Sequence, residues 1–310
     1  MLNNIWKIIF LFFLSSCADD NTVINQNDDS TVIEDLFFGS PSNLNIVTWN
    51  IENFPKSGAN TIEYLVEAIQ SMNINIIALQ EIESTSDFNQ LVNSLGDNWA
   101  GHRYENSNWG ELSFLINTDN ITYQEPYAIL NDYAPYFAYR PPYVLEFSYN
   151  NQNFILINVH YKCCGDGELD EQDIWDEEYR RLMSSYYLEE YISENFNNEN
   201  VIIMGDFNDE LLDAESDNVF NVFLDNPDKY SFADFEMAQE SNYWGYWSYP
   251  SWPSHLDHII ISNELFDEYQ NINSSCNTIL IDNTLNNGWS EYNNYISDHR
   301  PVGISLDISE

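Results

Sequence analysis

Three short runs in this chain set an acid beside an imidazole or an amide next to an apolar stretch. They are Gly205-Asp206-Phe207-Asn208-Asp209, Ser254-His255-Leu256-Asp257-His258-Ile259 and Ser297-Asp298-His299-Arg300-Pro301-Val302. Half-buried acids cost free energy unless they are paired, hydrogen-bonded or bound to metal. Their recurrence where strands end predicts one site built from several loops, holding a divalent cation and a charged substrate. Glu81, Asp206, Asn208 and Asp298 are hard oxygen ligands suited to Mg2+, Mn2+ or Ca2+. His160 and His299 can exchange protons near neutral pH, and each needs a carboxylate to fix its tautomer; Asp257 and Glu111 are available for that. Arg140 can hold a phosphate oxygen without deprotonating. A cation with two imidazoles, and no Gly-x-Ser-x-Gly elbow, points to direct attack by water. Phosphoester hydrolysis is the natural class: a cation neutralises the equatorial oxygens while side chains handle the water and the leaving oxygen.

The elements that must position these groups follow from periodicity. Leu44–Trp49 alternates and reads as a strand ending at Asn50. A helix opens at Asn60 or Thr61, with Ile62, Leu65, Val66, Ile69 and Met72 on one face. Ile74–Leu79 is a buried strand that stops at Gln80-Glu81, and Leu112–Ile116 is another. Tyr143–Tyr149 and Phe154–Val159 form a hairpin around Asn150-Asn151-Gln152, terminating at His160. A helix runs from Asp176 to about Phe196, and strands follow at Val201–Met204, Asp257–Ser262, near Ile279–Ile281, and at Val302–Leu306. Helices inserted between strand pairs, with one antiparallel hairpin, fit a layered α/β or α+β domain. Functional residues then sit just past strand ends, the rim that open sheets use for ligands.

Composition narrows the partners. The 310 residues carry 51 acids against nine Lys and Arg, a net charge of −42. That argues against a basic groove gripping nucleic acid by neutralising phosphates. It fits a salty medium, where screening relieves self-repulsion, although organism-wide composition explains it equally simply. Anionic substrate must then be drawn in by bound cations and a few local arginines.

At the start, a short cationic region, apolar Ile8–Leu14 and Leu14-Ser15-Ser16-Cys17 read as an export signal over residues 1–16, with Cys17 a candidate lipidated first residue. Residues 17–43 read as an acidic tether whose Val32-Ile33…Leu36-Phe37-Phe38 patch can dock on the domain, 44–310. The expected location is the cell envelope, periplasmic or cell-surface, held to the membrane by lipid, as a monomer. Export permits disulfides: one of Cys163-Cys164 with Cys276, or a strained vicinal bridge.

Trp49-Asn50, Gln80-Glu81, Arg140-Pro141…Phe147, Asn158-Val159-His160, Gly205-Asp206-Phe207-Asn208, Leu256-Asp257-His258-Ile259 and Ser297-Asp298-His299-Arg300-Pro301 occur in an order that resembles the endonuclease/exonuclease/phosphatase superfamily, the deoxyribonuclease-I-like enzymes. The likeness spans about Leu44 to Leu306. It implies a four-layer sandwich, two packed mixed β-sheets flanked by helices. It also implies roles: Glu81 and Asp298 as metal ligands, Asn50 and Asn208 positioning phosphate or water, and Asp206 orienting or activating the nucleophile. Asp257–His299 resembles the family's acid–imidazole pair. Glu111–His160 and Arg140 resemble the second pair and phosphate anchor of pancreatic-type deoxyribonuclease. Glu52 stands where related branches carry either an acid or a base.

Several features have a plainer reading beside the functional one. His102 reads as a surface residue and His258 as structural, while His255 could touch substrate. The run Tyr243-Trp244-Gly245-Tyr246-Trp247…Tyr249…Trp252 could stack on bases or pack over the sheet edge. Glu168–Glu178 reads as a solvated helix start, with a calcium site the sharper alternative. The expected activity is therefore an exported, metal-dependent nuclease or phosphodiesterase acting on nucleic acid. A phosphatase or phosphodiesterase of a small or lipid-derived ester, and a non-catalytic binding lipoprotein, remain alternatives.

Overall fold

Consecutive residues of each central strand feed two different cores, which is why the strands read as unbroken apolar runs rather than alternating ones. In Ile259-Ile260-Ile261, for example, the outer two side chains enter one core and Ile260 enters another. The computed structural model describes residues 33, 36–105, 111–240 and 242–308. The expected signal 1–16, Cys17 and most of the tether 17–43 lie outside the described residues.

Along the chain come β1 (Leu44–Phe54), α1 (Ala59–Gln70), β2 (Ile76–Ile82), α2 (Thr85–Leu95), β3 (Trp99–Arg103), β4 (Glu111–Asn117), β5 (Thr122–Tyr123), β6 (Tyr127–Ala128), β7 (Tyr143–Tyr149), β8 (Gln152–His160) and α3 (Glu177–Asn195). They are followed by β9 (Asn200–Asp206), β10 (Tyr230–Phe232), β11 (Asp257–Ser262), β12 (Ser275–Thr278) and β13 (Val302–Leu306). One sheet has the order β12-β13-β1-β2-β4-β3, and the other β10-β11-β9-β8-β7-β5, with β6 also on β7. The pairs β1–β2 and β8–β9 are parallel and the rest antiparallel, so both sheets are mixed. The sheets pack face to face over Ile46, Ala78, Phe114, Leu145, Leu156, Met204 and Ile304. Helices α1 and α2 cover the first sheet through Trp49, Leu65, Ile69, Phe88 and Leu91, and α3 covers the second through Leu188 and Ile192. This is the expected four-layer sandwich. Among the described residues, no helix is long and apolar enough to cross a membrane.

Local chemistry sets the joints. Asn150 and Asn151 turn the β7–β8 hairpin at φ 47° and 62°, the paired left-handed conformation of a tight two-residue turn. Gly205 admits no side chain, because a Cβ there would lie 1.9 Å from the Val159 carbonyl oxygen of the neighbouring strand. Of the apolar patch before β1, Ile33, Leu36 and Phe38 pack into the helix-side core, whereas Phe37 stays exposed.

Two expectations are corrected. Ile279–Ile281 is not a strand: the edge strand is Ser275–Thr278, and Ile281–Thr284 is a 3-10 turn buried through Ile281. No disulfide forms among the described cysteines; Cys163 and Cys164 lie in the loop after β8, Cys276 on β12, and all three thiols are free. The loop holding the pair leaves one sheet, while Cys276 lies on the edge strand of the other.

Candidate active site

Strand register places the first three groups in a row. Asp206, at the end of β9, pairs with Asp257 of antiparallel β11 on one side and with His160 of parallel β8 on the other. On the facing sheet, the β1–β2 register carries Asn50 beside Gln80, and both strands then become irregular. The irregularity is stored in the backbone: Glu52, Asn53, Glu81 and, across the cleft, Asn208 all have positive φ (30°, 49°, 64° and 55°). Such conformations persist only where the surroundings over-determine them, and they cluster at functional sites. Here they aim Glu81 into the gap between the sheets.

Asn50 ties the two sheets together. Its Nδ2 donates to Glu81 Oε1 at 3.1 Å and to Asp206 Oδ2 at 3.0 Å. Glu81 Oε2 accepts from the Asn53 amide at 2.8 Å, and Asp206 Oδ1 accepts from the Asn208 amide at 2.9 Å. Both histidines converge on the same carboxylate oxygen: His160 Nε2 lies 3.4 Å and His299 Nε2 3.8 Å from Asp206 Oδ2. Below this, Gln80 Nε2 donates to Asn158 Oδ1 (2.8 Å) and Thr48 Oγ1 (3.1 Å), a polar pin through the sheet interface.

The loop carrying His299 is fixed from several sides. Ser297 Oγ donates to the Asn50 carbonyl and accepts from the His299 amide. Tyr292 Oη donates to the His299 carbonyl, and Arg300 grips Asp282 through two bonds of 2.9 and 2.7 Å. His299 Nδ1 donates to Asp257 Oδ2 at 2.8 Å, while Tyr249 lies on the ring at 4.7 Å between centroids. Asp257 itself is positioned by Ser248, whose Oγ accepts from its amide.

Electrostatics separate the two imidazoles. Burial alone would disfavour a charged His299, but Asp257, Asp206 and Asp298 outweigh it and hold the ring's pKa up at about 10. Burial, with the cations of Arg140 and His299 nearby, pushes His160 well below the ordinary histidine value. At neutral pH one ring is therefore imidazolium and the other neutral, and opposed pKa values in one site mark distinct acid–base roles. Burial raises Asp206 to about 6, as does the negative charge of Asp257 and Glu81, with His299 and Asn50 opposing. Burial also lifts Asp298 to about 6, helped by Glu52 and Glu81 and opposed by His299 and Lys56. Carboxylates that raise one another's proton affinity in a shared cleft fit a divalent cation, and the donors of Glu81 and Asp298 are the hard oxygens such ions prefer. The oxygens and nitrogens of Asp206, Asp257 and His299 also lie within 4.8 Å of one another. There, however, His299 Nδ1 is already engaged by Asp257, so that triad reads as a proton-handling group.

Of the residues singled out from sequence, Glu81, His160, Asp206, Asn208, Asp298 and His299 line one cleft of about 620 Å³, and Asn50 and Asp257 bond directly to members of it. Two assignments need correction. Glu111 is buried at the start of β4 but does not pair with His160, whose Nδ1 has no hydrogen-bond partner among the described residues. Arg140 is not at the cleft surface: it lies buried behind it, donating to the carbonyls of His160 and Tyr161, so its charge acts through space. His255 does not face substrate either; its Nε2 meets Asp234 Oδ2 at 3.1 Å, as His258 Nδ1 does at 2.6 Å, in a buried cluster behind the site. The acids leading into α3 are solvated as expected, with Glu168, Asp170, Glu171 and Asp173 exposed. At the helix itself Asp176 caps Tyr179, and Glu178 departs from the pattern, buried against Arg181.

The structure adds a wall that motif reading missed. Glu178, Asp209, Glu210 and Asp213 line the far end of the cleft around Arg181, which bonds Asp209 (2.7 Å) and Glu178 (3.2 Å). Burial and a hydrogen bond to Asp209 push the Asp213 carboxyl up to about 7. Arg140, Arg180, Arg181 and Arg300 are all buried. Two of them, Arg181 and Arg300, mark internal acids.

The family described as Endonuclease/Exonuclease/phosphatase matches residues 47–299. D. rerio TDP2 complexed with single-strand DNA product is similar in structure, with TM-score 0.59 at 14% identity, covering 86% of this chain and 99% of that one. The human Nocturnin catalytic domain with bound sulfate gives TM-score 0.57 at 15% identity, over 87% and 96% of the two chains. An endonuclease/exonuclease/phosphatase from Bacteroides vulgatus gives 0.58 at 13%, over 86% and 99%. No curated protein sequence matches the chain.

Proposed function

This chain belongs to the endonuclease/exonuclease/phosphatase family and is a hydrolase acting on phosphoester bonds, and from that premise we propose an exported, Mg2+- or Mn2+-dependent nuclease or phosphodiesterase. The observation that carries the reading is the convergence on Asp206 Oδ2 of Asn50, His160 and His299 from both sheets. Glu81 and Asp298 would hold the cation, which when bound supplies charge neutralisation of a phosphate oxygen. The remaining steps belong to the chain. Asp206, held by the Asn208 amide, orients a water and takes its proton. Asn50 and Asn208 fix phosphate oxygens. His299, kept cationic by Asp257, donates a hydrogen bond to charge developing on phosphorus-bound oxygen, and neutral His160 takes a second position against the same group. Burial, reinforced by the Arg140 cation, keeps His160 neutral.

A second reading is favoured by one feature, the acidic far wall of Glu178, Asp209, Glu210 and Asp213. It would repel a second phosphate, so a small ester with a neutral or cationic substituent fits that end better than a polyanion.

We also propose that residues 1–16 are removed, that Cys17 is lipidated, and that residues 17–43 tether the domain 44–310 to an envelope membrane. Cys17→Ala is expected to move the protein from the membrane fraction to the soluble one; unchanged fractionation would refute anchoring.

The test of function incubates purified protein with plasmid DNA, RNA and a bis-aryl phosphodiester, with Mg2+, Mn2+ or chelator. Metal-dependent polymer cleavage is the expected result, and cleavage of the small ester alone would favour the second reading. No turnover under any metal, with the fold intact, would defeat both.

A further inference from the structure

The loop after β8 carries two thiols into the wall of the cleft, and neither has a part in the hydrolysis described above. Cys163 and Cys164 line the cleft together with His160, Asp206 and Asn208. Their sulfurs are 3.0 Å apart, Cys164 is exposed, and Cys163 is half-buried. Two donors address the Cys163 sulfur: the Cys164 thiol, and Lys162 Nζ at 3.7 Å. That places a nucleophilic sulfur beside a cation and next to a second thiol able to resolve it. The third thiol behaves differently. Cys276 packs against the inter-sheet core on β12, where burial pushes its thiol well up.

We propose that Cys163 and Cys164 form a redox-modification site, a vicinal dithiol that a hydroperoxide closes to a disulfide in the wall of the catalytic cleft. The Cys163 sulfur attacks the peroxide oxygen, breaking the O–O bond; the protein gains a sulfenic acid, and the peroxide leaves as an alcohol or, from hydrogen peroxide, as water. The Cys164 sulfur then displaces that hydroxyl, which departs with the remaining thiol proton as water. The peroxide is reduced by two electrons, and the two thiols are oxidised together.

Closing the bridge changes the backbone, since the bonded sulfurs must reach about 2.05 Å with a torsion near 90°, in a small ring that contains the Cys163–Cys164 peptide. The two carbonyls at this site are not idle. Cys163 O accepts from Lys162 Nζ (2.6 Å) and Cys164 O from Arg181 Nη1 (2.7 Å). Arg181 in turn holds Asp209, the neighbour of Asn208, at 2.7 Å. Oxidation therefore reaches the side of the cleft where the proposed reading puts Asn208 and Asp206, and the effect on turnover rests on that reading.

The full chain is reduced, freed of reductant and treated with stoichiometric hydrogen peroxide. It is then denatured, blocked with N-ethylmaleimide and digested, and turnover of a bis-aryl phosphodiester is followed in parallel. The peptide holding both cysteines is expected to be lighter by two hydrogens and unlabelled, recovering both labels after dithiothreitol, while Cys276 takes label throughout. Turnover is expected to fall several-fold on oxidation and to return on reduction, and Cys164→Ser is expected to lose this response to peroxide. Label on both residues after peroxide, or a bridge to Cys276 or to another chain, overturns the proposal. A fully formed vicinal disulfide with unchanged turnover overturns its link to the cleft. Because the mass readout needs no substrate, a bridge that forms in a protein inert toward every ester counts against the hydrolytic reading and leaves the redox site standing.

Discussion

At the scale of single residues, two imidazoles in one cleft differ because different groups face them. His299 has a carboxylate on its Nδ1 side and another facing Nε2, so its proton is retained up to about pH 10. His160 is fully buried, with a guanidinium behind it and an imidazolium in front, so its proton is lost early. If His299 is the cationic donor, His299→Ala is expected to lower kcat/KM by about 10²- to 10⁴-fold. Far-UV circular dichroism should stay near wild type, because the surrounding loop is held by Ser297, Tyr292 and Arg300 rather than by the ring. The urea midpoint should fall, because Asp257 is left buried without its cation. Retained turnover in that variant would remove the role proposed for it. The pH profile supplies an independent check. The Asp206 carboxyl is raised to about 6 by burial, so it is protonated below that value and ionised above it. As a base it must be ionised, hence kcat/KM should climb through about pH 6, hold a plateau, and fall near pH 10 as His299 loses its proton. Asp206→Asn should abolish the acid limb along with most of the activity; an unaltered limb would assign it to another group, Asp298 first.

At the scale of elements, the buried cluster behind the site shows what fixes the strand that delivers Asp257. Asp234, just after β10, accepts from His258 Nδ1, His255 Nε2 and the Ile259 amide at 2.6, 3.1 and 2.8 Å. Burial opposes its charge, yet His258 and His255 hold the carboxyl well below the usual carboxylate range, while Asp234 overcomes burial to raise His258. A depressed acid stabilises the fold above its unfolded pKa of about 4 and loses that contribution as pH falls toward the folded value. A raised histidine stabilises below its unfolded pKa of about 6.5 and loses it as pH rises through the folded value. The cluster therefore contributes most between about pH 4 and 6.5. Asp234→Asn, which leaves a buried cation unpaired, should cost about 3–5 kcal/mol there and flatten the urea-midpoint profile across that window. A profile unchanged in shape would show that the cluster is not the source. None of this could be read from residue order, since Asp234 stands more than twenty residues from His258 and no motif flags it. What was legible followed from periodicity and local turn chemistry: β7 and β8 with their Asn-Asn turn, α1, α3, β11 and β13, and the rule that chemistry sits at strand ends. Short or weakly apolar elements such as α2, β3 and β12 escaped because their pattern is set by the neighbours they pack on. The misplaced partners have the same cause. Glu111 and Arg140 were assigned by order along the chain, but whether a side chain reaches the cleft or a carbonyl behind it depends on register and burial, which order does not encode.

At the scale of the whole molecule, the charge of −42 decides how substrate can approach. Four of the five arginines are buried, Arg181 and Arg300 in ion pairs and Arg140 and Arg180 against main-chain carbonyls. Among the described residues the positive charge that reaches solvent is therefore that of Arg103, Lys56, Lys162 and Lys229. A polyanionic substrate must therefore cross a repulsive field before it meets the bound cation, and the acidic wall of Glu178, Asp209, Glu210 and Asp213 extends that field to the cleft itself. Nucleic-acid binders that work by neutralising phosphates weaken as salt rises. This molecule should do the opposite within a range. The screening length shortens from about 30 Å at 0.01 M to about 10 Å at 0.1 M and about 3 Å at 1 M, so repulsion at a distance fades first while contacts inside the cleft are still felt. With the divalent ion held saturating, kcat/KM on DNA or RNA is expected to increase as NaCl is raised from the lowest concentration, then level off. On a singly charged aryl phosphodiester it should stay nearly flat, since that substrate carries one charge into the same field. The ratio of the two rates across a salt series separates substrate repulsion from any effect of salt on folding or metal binding, which would move both together. A polymer rate that drops monotonically with salt would mean that some basic surface engages the phosphates after all, and that the acidic exterior does not govern access.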